Sequence, residues 1–156
     1  MKMDLIDKKI LSQIQLDASL SVGVLAERVS LSKTACWRRL NRLQDAGVIK
    51  QRVTLLDSKS LNLALMVYIS VRTNQHSEKW NAKFTKVVTK IPEILEVNRM
   101  SGDLDYLLKA VVTDMEGYDQ LYKKLVAAEI FDISSSFVME EIKATTALPL
   151  EFIVSY

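Results

Sequence analysis

Thr34, Arg38 and Asn41 follow one another at intervals of four and three residues, and their side chains are of the kind that read the edges of base pairs. A guanidinium can bridge two acceptors of guanine and a carboxamide can pair with adenine, each good two-point contact being worth about 1–3 kcal/mol of discrimination. At 100° per residue the three residues gather on one side of a helix, with Arg42 beside them and Lys33 at the helix start. Cys36, Leu40 and Leu43 lie opposite, within about 60° of one another, as a stripe for burial. Trp37 is on the border between the two faces, where it either stacks on a sugar-phosphate or seals a bundle edge. The plainer alternative is a three-helix bundle with a basic surface.

Helix starts and stops place this face. Asp4 can cap a first helix, Asp7 adds charge at the favourable end of its dipole, and Ile6, Ile10, Leu11 and Ile14 recur at helical spacing up to Asp17. Ser21 caps a second, short helix with Val22, Leu25, Ala26 and Val29 on one face. Residues 30–33 form a turn, Ser32 caps the third helix, and Gly47 ends it by accepting a left-handed backbone. Two short helices, a tight turn and a third helix with a polar face make a helix-turn-helix. Residues 48–56 are β-rich and carry Lys50 and Arg52, as expected of a wing or connecting strand.

Charge supports the division. The chain of 156 residues has a net charge of +2, but residues 1–60 hold 11 Lys+Arg against 6 Asp+Glu, leaving the remainder acidic. The basic part is the candidate partner of double-stranded DNA. Hydrophobic residues at 49% and charged residues at 26% are the mixture of a soluble globular protein. Residues 1–9 alternate charged and apolar residues and do not read as a signal peptide, and the apolar run 63–71 is too short to span a bilayer. One cysteine excludes an internal disulfide and fits a reducing cytoplasm, so a cytoplasmic, nucleoid-associated protein is expected.

Beyond Ser58 the pattern changes. Residues 64–71 read as a buried strand, and Trp80, Phe84, Val87, Val88 and Ile91 mark a helix that Pro92 closes. Strands follow at 94–100 and 105–112, joined by the turn at 101–104. Asp114 caps a helix with Met115, Tyr118, Leu121, Tyr122 and Leu125 on one face. Residues 130–139 and 142–150 read as further strands. The order β-α-β-β-α-β is the ferredoxin-like arrangement, so the expected fold is α+β: a helix-turn-helix over 1–52, a β linker over 53–62, and a ferredoxin-like effector-binding and oligomerisation domain over 63–156. One sheet face is left bare, and self-association would cover it.

No catalytic constellation emerges. His76 is the single histidine and lies in a polar stretch, read as an exposed loop, so no metal site and no His-based triad can be assembled around it. Cys36 falls in the buried stripe and reads as a structural thiol. Glu140 and Glu141 would point to opposite faces of a strand. No cofactor and no metal are implied, and the chain is not expected to be an enzyme.

The residues carry a resemblance to the Lrp/AsnC family, the leucine- and asparagine-responsive "feast/famine" regulators. Residues 5–11 resemble its first helix, 31–49 its recognition helix and stop, 101–106 (Ser-Gly-Asp-Leu-Asp-Tyr) its sensing-domain turn, and 139–143 its last part. The resemblance implies a winged or simple helix-turn-helix joined by a β linker to a sensing domain. It also implies dimers that assemble into tetramers, octamers or larger rings. Small amino-acid effectors are implied at Ser101, Gly102, Asp103 and Asp105, with Ser134, Ser135 and Ser136 lining the other wall. Turn N–H groups can hold a carboxylate and an Asp side chain an ammonium. A plain β-hairpin is the other reading of that turn. Residues 34–39, 75–77, 135–137 and 145–149 resemble the cysteine-responsive branch, although that branch commonly has proline where Ala35 stands. The expectation is an amino-acid-responsive transcription regulator, with cysteine as one candidate effector. The alternative is an architectural DNA-wrapping protein with little ligand response. Residues 151–156 run past the family's usual end.

Overall fold

Asp4, Ser21 and Ser32 each hold an extended backbone, and each side chain accepts the N–H three residues on. These caps start α1 (Leu5–Leu16), α2 (Val22–Arg28) and α3 (Lys33–Asp45). The structure is a computed structural model, and it describes residues 2–75, 77–127, 130 and 132–153. At the start of α1 the capping is reciprocal: Asp4 accepts from Asp7 N at 2.8 Å, and Asp7 accepts from Asp4 N at 3.1 Å. Gly47 has φ +71° and lets the chain turn so that Val48 N and Ile49 N both return to Leu43 O. Ile10, Leu25, Cys36 and Leu43 form the centre of the core between the three helices.

The expected wing strand over 48–56 is not there. The first two amides are spent on the end of α3, and the stretch that follows pairs with no strand among the described residues, leaving Val53, Leu55 and Leu56 exposed. A single 3-10 turn, Lys59–Leu61, follows; Asp57 accepts Ser60 N at its start, and Asn62 closes it in a left-handed conformation.

The second unit has the expected order: β1 (Leu65–Arg72), α4 (Glu78–Val88), β2 (Ile94–Arg99), β3 (Tyr106–Val112), α5 (Met115–Val126) and β4 (Asp132–Phe137). The strands form one antiparallel sheet in the order β2-β3-β1-β4. Alternation along the strands divides the residues between two faces. Val67, Ile69 and Val71 of β1 join Leu108, Ala110 and Val112 of β3 in a core with Phe84 of α4 and Leu121 and Leu125 of α5. Trp80, Phe84 and Tyr106 stack together within it, Trp80 and Phe84 being 5.1 Å apart and nearly parallel. The other face shows Met66, Tyr68 and Ser70 opposite Val111, Lys109 and Leu107.

The chain forms two compact units, Met1–Leu55 with Lys143–Tyr156, and Leu56–Ile142. The sensing domain is expected from the sequence to run to 156; the described residues from Lys143 to Ile153 group with the helices. The strand expected over 142–150 does not form either. In its place Leu148 exchanges both backbone hydrogen bonds with the Gln15 carboxamide of α1, and Leu150 and Ile153 pack against the helical core. A single 3-10 turn, Leu150–Phe152, is the tail's one regular element among the described residues.

Candidate functional site

The polar face of α3 is where the spacing put it. Lys33, Thr34, Trp37 and Arg38 are exposed and Asn41 is half-buried, while Cys36, Leu40 and Leu43 point into the core. Burial pushes the Cys36 thiol up, away from the reactive thiolate. Trp37 leaves 57% of its surface to solvent, so it does not seal the bundle. It borders a hollow of about 430 Å³ whose walls include Asn41 and Gln44 of α3 and Lys50 and Arg52 of the segment after it. Among the described residues, Arg38, Lys50 and Arg52 make no ion pair, so their charges are available to a partner.

Arg42 is placed differently from the expectation. Its guanidinium donates to Asp7 of α1, a carboxylate with no exposure to solvent. Arg39 donates to the other oxygen of Asp7 at 2.8 Å and to Asp4 at 2.7 Å. Asp7 thus collects two guanidiniums and the Asp4 amide, which offsets much of its desolvation. Asp4 is held below the ordinary carboxylate range, first by the Asp7 N–H and then by Arg39, while the carboxylates hold Arg39 up. Arg39 and Arg42 are therefore the ties that fix α3 against α1. The wheel could not show this, because it carries no information about what α1 presents.

In the second unit, Met100 N donates to Asp105 O at 2.8 Å across the turn, and Gly102 takes φ +114° at its tip. Ser101, Gly102 and Asp103 are exposed, and Asp105 is half-buried. One Asp105 carboxylate oxygen accepts Thr73 N at 2.8 Å. Arg72 spans the sheet end, donating from Nε to Asp103 O at 3.1 Å and from its terminal nitrogen to Asp132 at 3.0 Å. A small polar hollow of about 30 Å³ lies beside the turn, between Thr73, Gln75, Asn81, Arg99 and Asp105. Sequence reasoning misses Arg72, Thr73 and Arg99. Their signal is strand ends carrying arginine on either side of the turn, and it becomes legible only once β1 and β3 are known to be neighbours.

The three serines do not share a wall. Ser134 and Ser136 lie on the open sheet face opposite Ser70 and Tyr68. Ser135 turns to the helix side and accepts the Tyr118 hydroxyl at 2.6 Å, next to Phe137. The β4 residue level with the turn is Asp132, and Ser134 is roughly 6–7 Å further along the strand. His76 lies outside the described residues. Among the described residues no group of three or more His, Cys, Asp or Glu could hold a metal ion, and no helix is long and apolar enough to cross a membrane.

A helix-turn-helix with an open basic face, carried on the same chain as a separate α+β unit, is the build of a DNA-binding regulator. Residues 3–50 match the winged helix-turn-helix DNA-binding domain and residues 66–148 the Lrp/AsnC ligand binding domain; the chain belongs to the Lrp/AsnC family. It is 45% identical over 151 residues to the DNA-binding transcriptional activator DecR of Escherichia coli (strain K12), covering 96% of this chain and 99% of that protein. It is also 45% identical over 150 residues to the glutamate uptake regulatory protein of Zymomonas mobilis subsp. mobilis, covering 96% and 92%. A transcriptional regulator from Neisseria meningitidis, solved in complex with L-Met, superposes with a TM-score of 0.93 at 37% identity, covering 98% of this chain and all of that one.

Proposed function

We propose that this regulator responds to a small amino acid and reads its operator with Thr34, Arg38 and Asn41, while Lys33, Trp37, Lys50 and Arg52 hold the phosphate backbone. The observation that carries this is the division of labour on α3. Arg39 and Arg42 are engaged with α1, whereas Arg38, one residue away, is exposed and unpaired among the described residues. A cation left unpaired beside others locked in place is the arrangement expected of a base-reading side chain.

The effector is placed at the turn of Ser101, Gly102, Asp103 and Asp105. The resemblance supports this, as does the neighbouring hollow, where Arg99 can meet a carboxylate and the Asp105 carboxylate an ammonium. At about 30 Å³ that hollow has room for a headgroup and not for a whole amino acid. The remaining wall then comes from a second copy, which fits assembly into dimers and tetramers or octamers through the open sheet face. Ser134 and Ser136 stand on that face and remain candidates for it, and Ser135 does not. The relatives' names, among them a glutamate uptake regulator, a leucine-responsive regulator and the L-Met complex, point to the amino-acid class. Cysteine is the first to test, on the resemblance of 34–39 and 145–149. Work on chromosomal DNA would place the protein in the cytoplasm.

Fluorescence anisotropy on the DNA upstream of its own gene, against a scrambled duplex and with each amino acid in turn, tests this. Preference for the upstream DNA that shifts with one amino acid is expected. Equal binding to both duplexes with no ligand effect would favour architectural wrapping instead. Arg38→Ala should narrow the preference by about 5- to 150-fold, corresponding to about 1–3 kcal/mol. An equal loss on both duplexes would reduce Arg38 to a phosphate-binding role.

A further inference from the structure

The C-terminal segment belongs to the helical unit, and the way it is held suggests a task. Gln15 of α1 uses both ends of its carboxamide on a single residue: the oxygen accepts Leu148 N at 3.0 Å and the nitrogen donates to Leu148 O at 3.1 Å. This is how a neighbouring strand would satisfy that residue, supplied here by one side chain. Leu150 and Ile153 follow and pack against the same core as Ile49. Tail and basic segment then face each other across a hollow of about 460 Å³, with Leu148 and Leu150 on one side and residues 48–52 on the other. The opposite side of 49–52 lines the hollow that Trp37 and Asn41 border. Residues 49–52 therefore form a thin wall between the tail and the recognition helix. Among the described residues they have no strand partner of their own to fix them.

We propose that residues 146–153 are a strap of the DNA-binding unit, anchored by Gln15 as a positioning residue, that holds Lys50 and Arg52 where they meet phosphate. This rests on the assignment of Lys50 and Arg52 to the backbone of the duplex. A peptide segment with no ladder hydrogen bonds samples many conformations, and ordering each of its residues costs backbone entropy. The strap supplies that order from behind, so that the two cations meet the duplex already in position.

The test uses the full chain with two substitutions on opposite sides of the anchor. Gln15→Ala removes both bonds from α1. Leu148→Pro removes the tail's N–H and leaves α1 untouched; Leu148 is largely exposed and stands before Pro149, so it fills no core position. Duplex binding is titrated over a range of salt, and amide hydrogen exchange is followed at 48–52. Both variants should bind about 5- to 10-fold more weakly. The slope of log affinity against log salt should fall by about 0.9 for each phosphate no longer neutralised, up to about 1.8 for both. Exchange at 48–52 should quicken while heats of effector binding stay as in the parent. Unchanged affinity and slope in both variants would overturn the strap. Weaker binding with an unchanged slope would also overturn it, since Gln15 would then support only the fold. If the parent chain itself shows no salt-dependent duplex binding, the DNA assignment of Lys50 and Arg52 falls first and the strap with it.

Discussion

The two units solve the same problem of holding a fold together with different materials. Among its described residues the sheet unit buries 13 apolar ones in one cluster, with the Trp80, Phe84 and Tyr106 rings at one end. Its ion pairs, such as Arg72 with Asp132 and Lys109 with Glu96, stay at the surface, where each contributes little. The helical unit buries 8 and adds the one fully buried charged side chain among the described residues, Asp7. A small unit removes a smaller fraction of its apolar surface from water, so it leans on directional contacts: a capping box, a two-arginine clamp and a borrowed tail. Directional contacts also fix orientation, which hydrocarbon packing does only loosely. On the proposed reading, in which one face of α3 meets a duplex, the helical unit gains more from that than a scaffold does.

The largest effect should come from the hydrocarbon side. Phe84 has no exposed surface and touches both other rings, so Phe84→Ala should destabilise the sheet unit by about 3–5 kcal/mol through lost transfer energy and an unfilled cavity. Each unit holds one tryptophan, which makes the comparison measurable: Trp80 reports the sheet unit in a Trp37→Phe background, and Trp37 reports the helices in a Trp80→Phe background. Denaturant curves should show the Trp80 transition moving much further than that of Trp37. Equal movement of both would mean the two units unfold as one.

Next in size is the clamp. Asp7→Ala removes the shared anchor of Arg39 and Arg42 and one half of the capping box. Removing one partner of a fully buried pair costs about 3–5 kcal/mol. Here both guanidiniums reach water and can be rehydrated, so about 2–3 kcal/mol is expected, read from Trp37 in the same curves. Asp7→Asn keeps an acceptor for the Asp4 amide and should lie between. If Asp7→Ala left duplex binding of the folded protein untouched, the clamp would be a matter of stability alone and not of orientation.

What the chain discloses in advance divides along the same line. Caps, stripes and strand alternation are local, so the three helices and the order β-α-β-β-α-β are all legible, down to Asp4, Ser21, Ser32 and Asp114 as caps. What stays hidden is the partner far along the chain. Arg42 stands beside the polar face on the wheel, and nothing near it in sequence reveals its partner Asp7, 35 residues away. Residues 142–150 read as a strand because their β-rich composition is real, but their hydrogen-bond partner is a glutamine side chain 133 residues back. The three serines invite grouping because they are consecutive, although the two-residue period of a strand already separates Ser135 from its neighbours. That separation is legible from the sequence alone.

The smallest effect sharpens the contrast by titration. Asp4 is held below its ordinary value of 3.8, first by the Asp7 N–H and next by Arg39. Folding thus favours its charged form, and the contribution is fully present above about pH 4 and fades as pH falls through the lower folded value. Asparagine caps a helix about as well as aspartate, so Asp4→Asn keeps the N–H contact and removes the titration together with the Arg39 pair. At neutral pH the variant should lose no more than about 1 kcal/mol, the usual limit for a pair this exposed. Between pH 5 and about pH 3 the Trp37 midpoint of the parent should fall more steeply than that of the variant, the two curves converging as Asp4 protonates. The Trp80 midpoint should be the same in both proteins at every pH, because Asp4 has no role in the sheet unit's core. Parallel Trp37 curves would mean that the Asp4 carboxylate titrates alike folded and unfolded, and that its contacts with the Asp7 N–H and Arg39 do not favour the charged form.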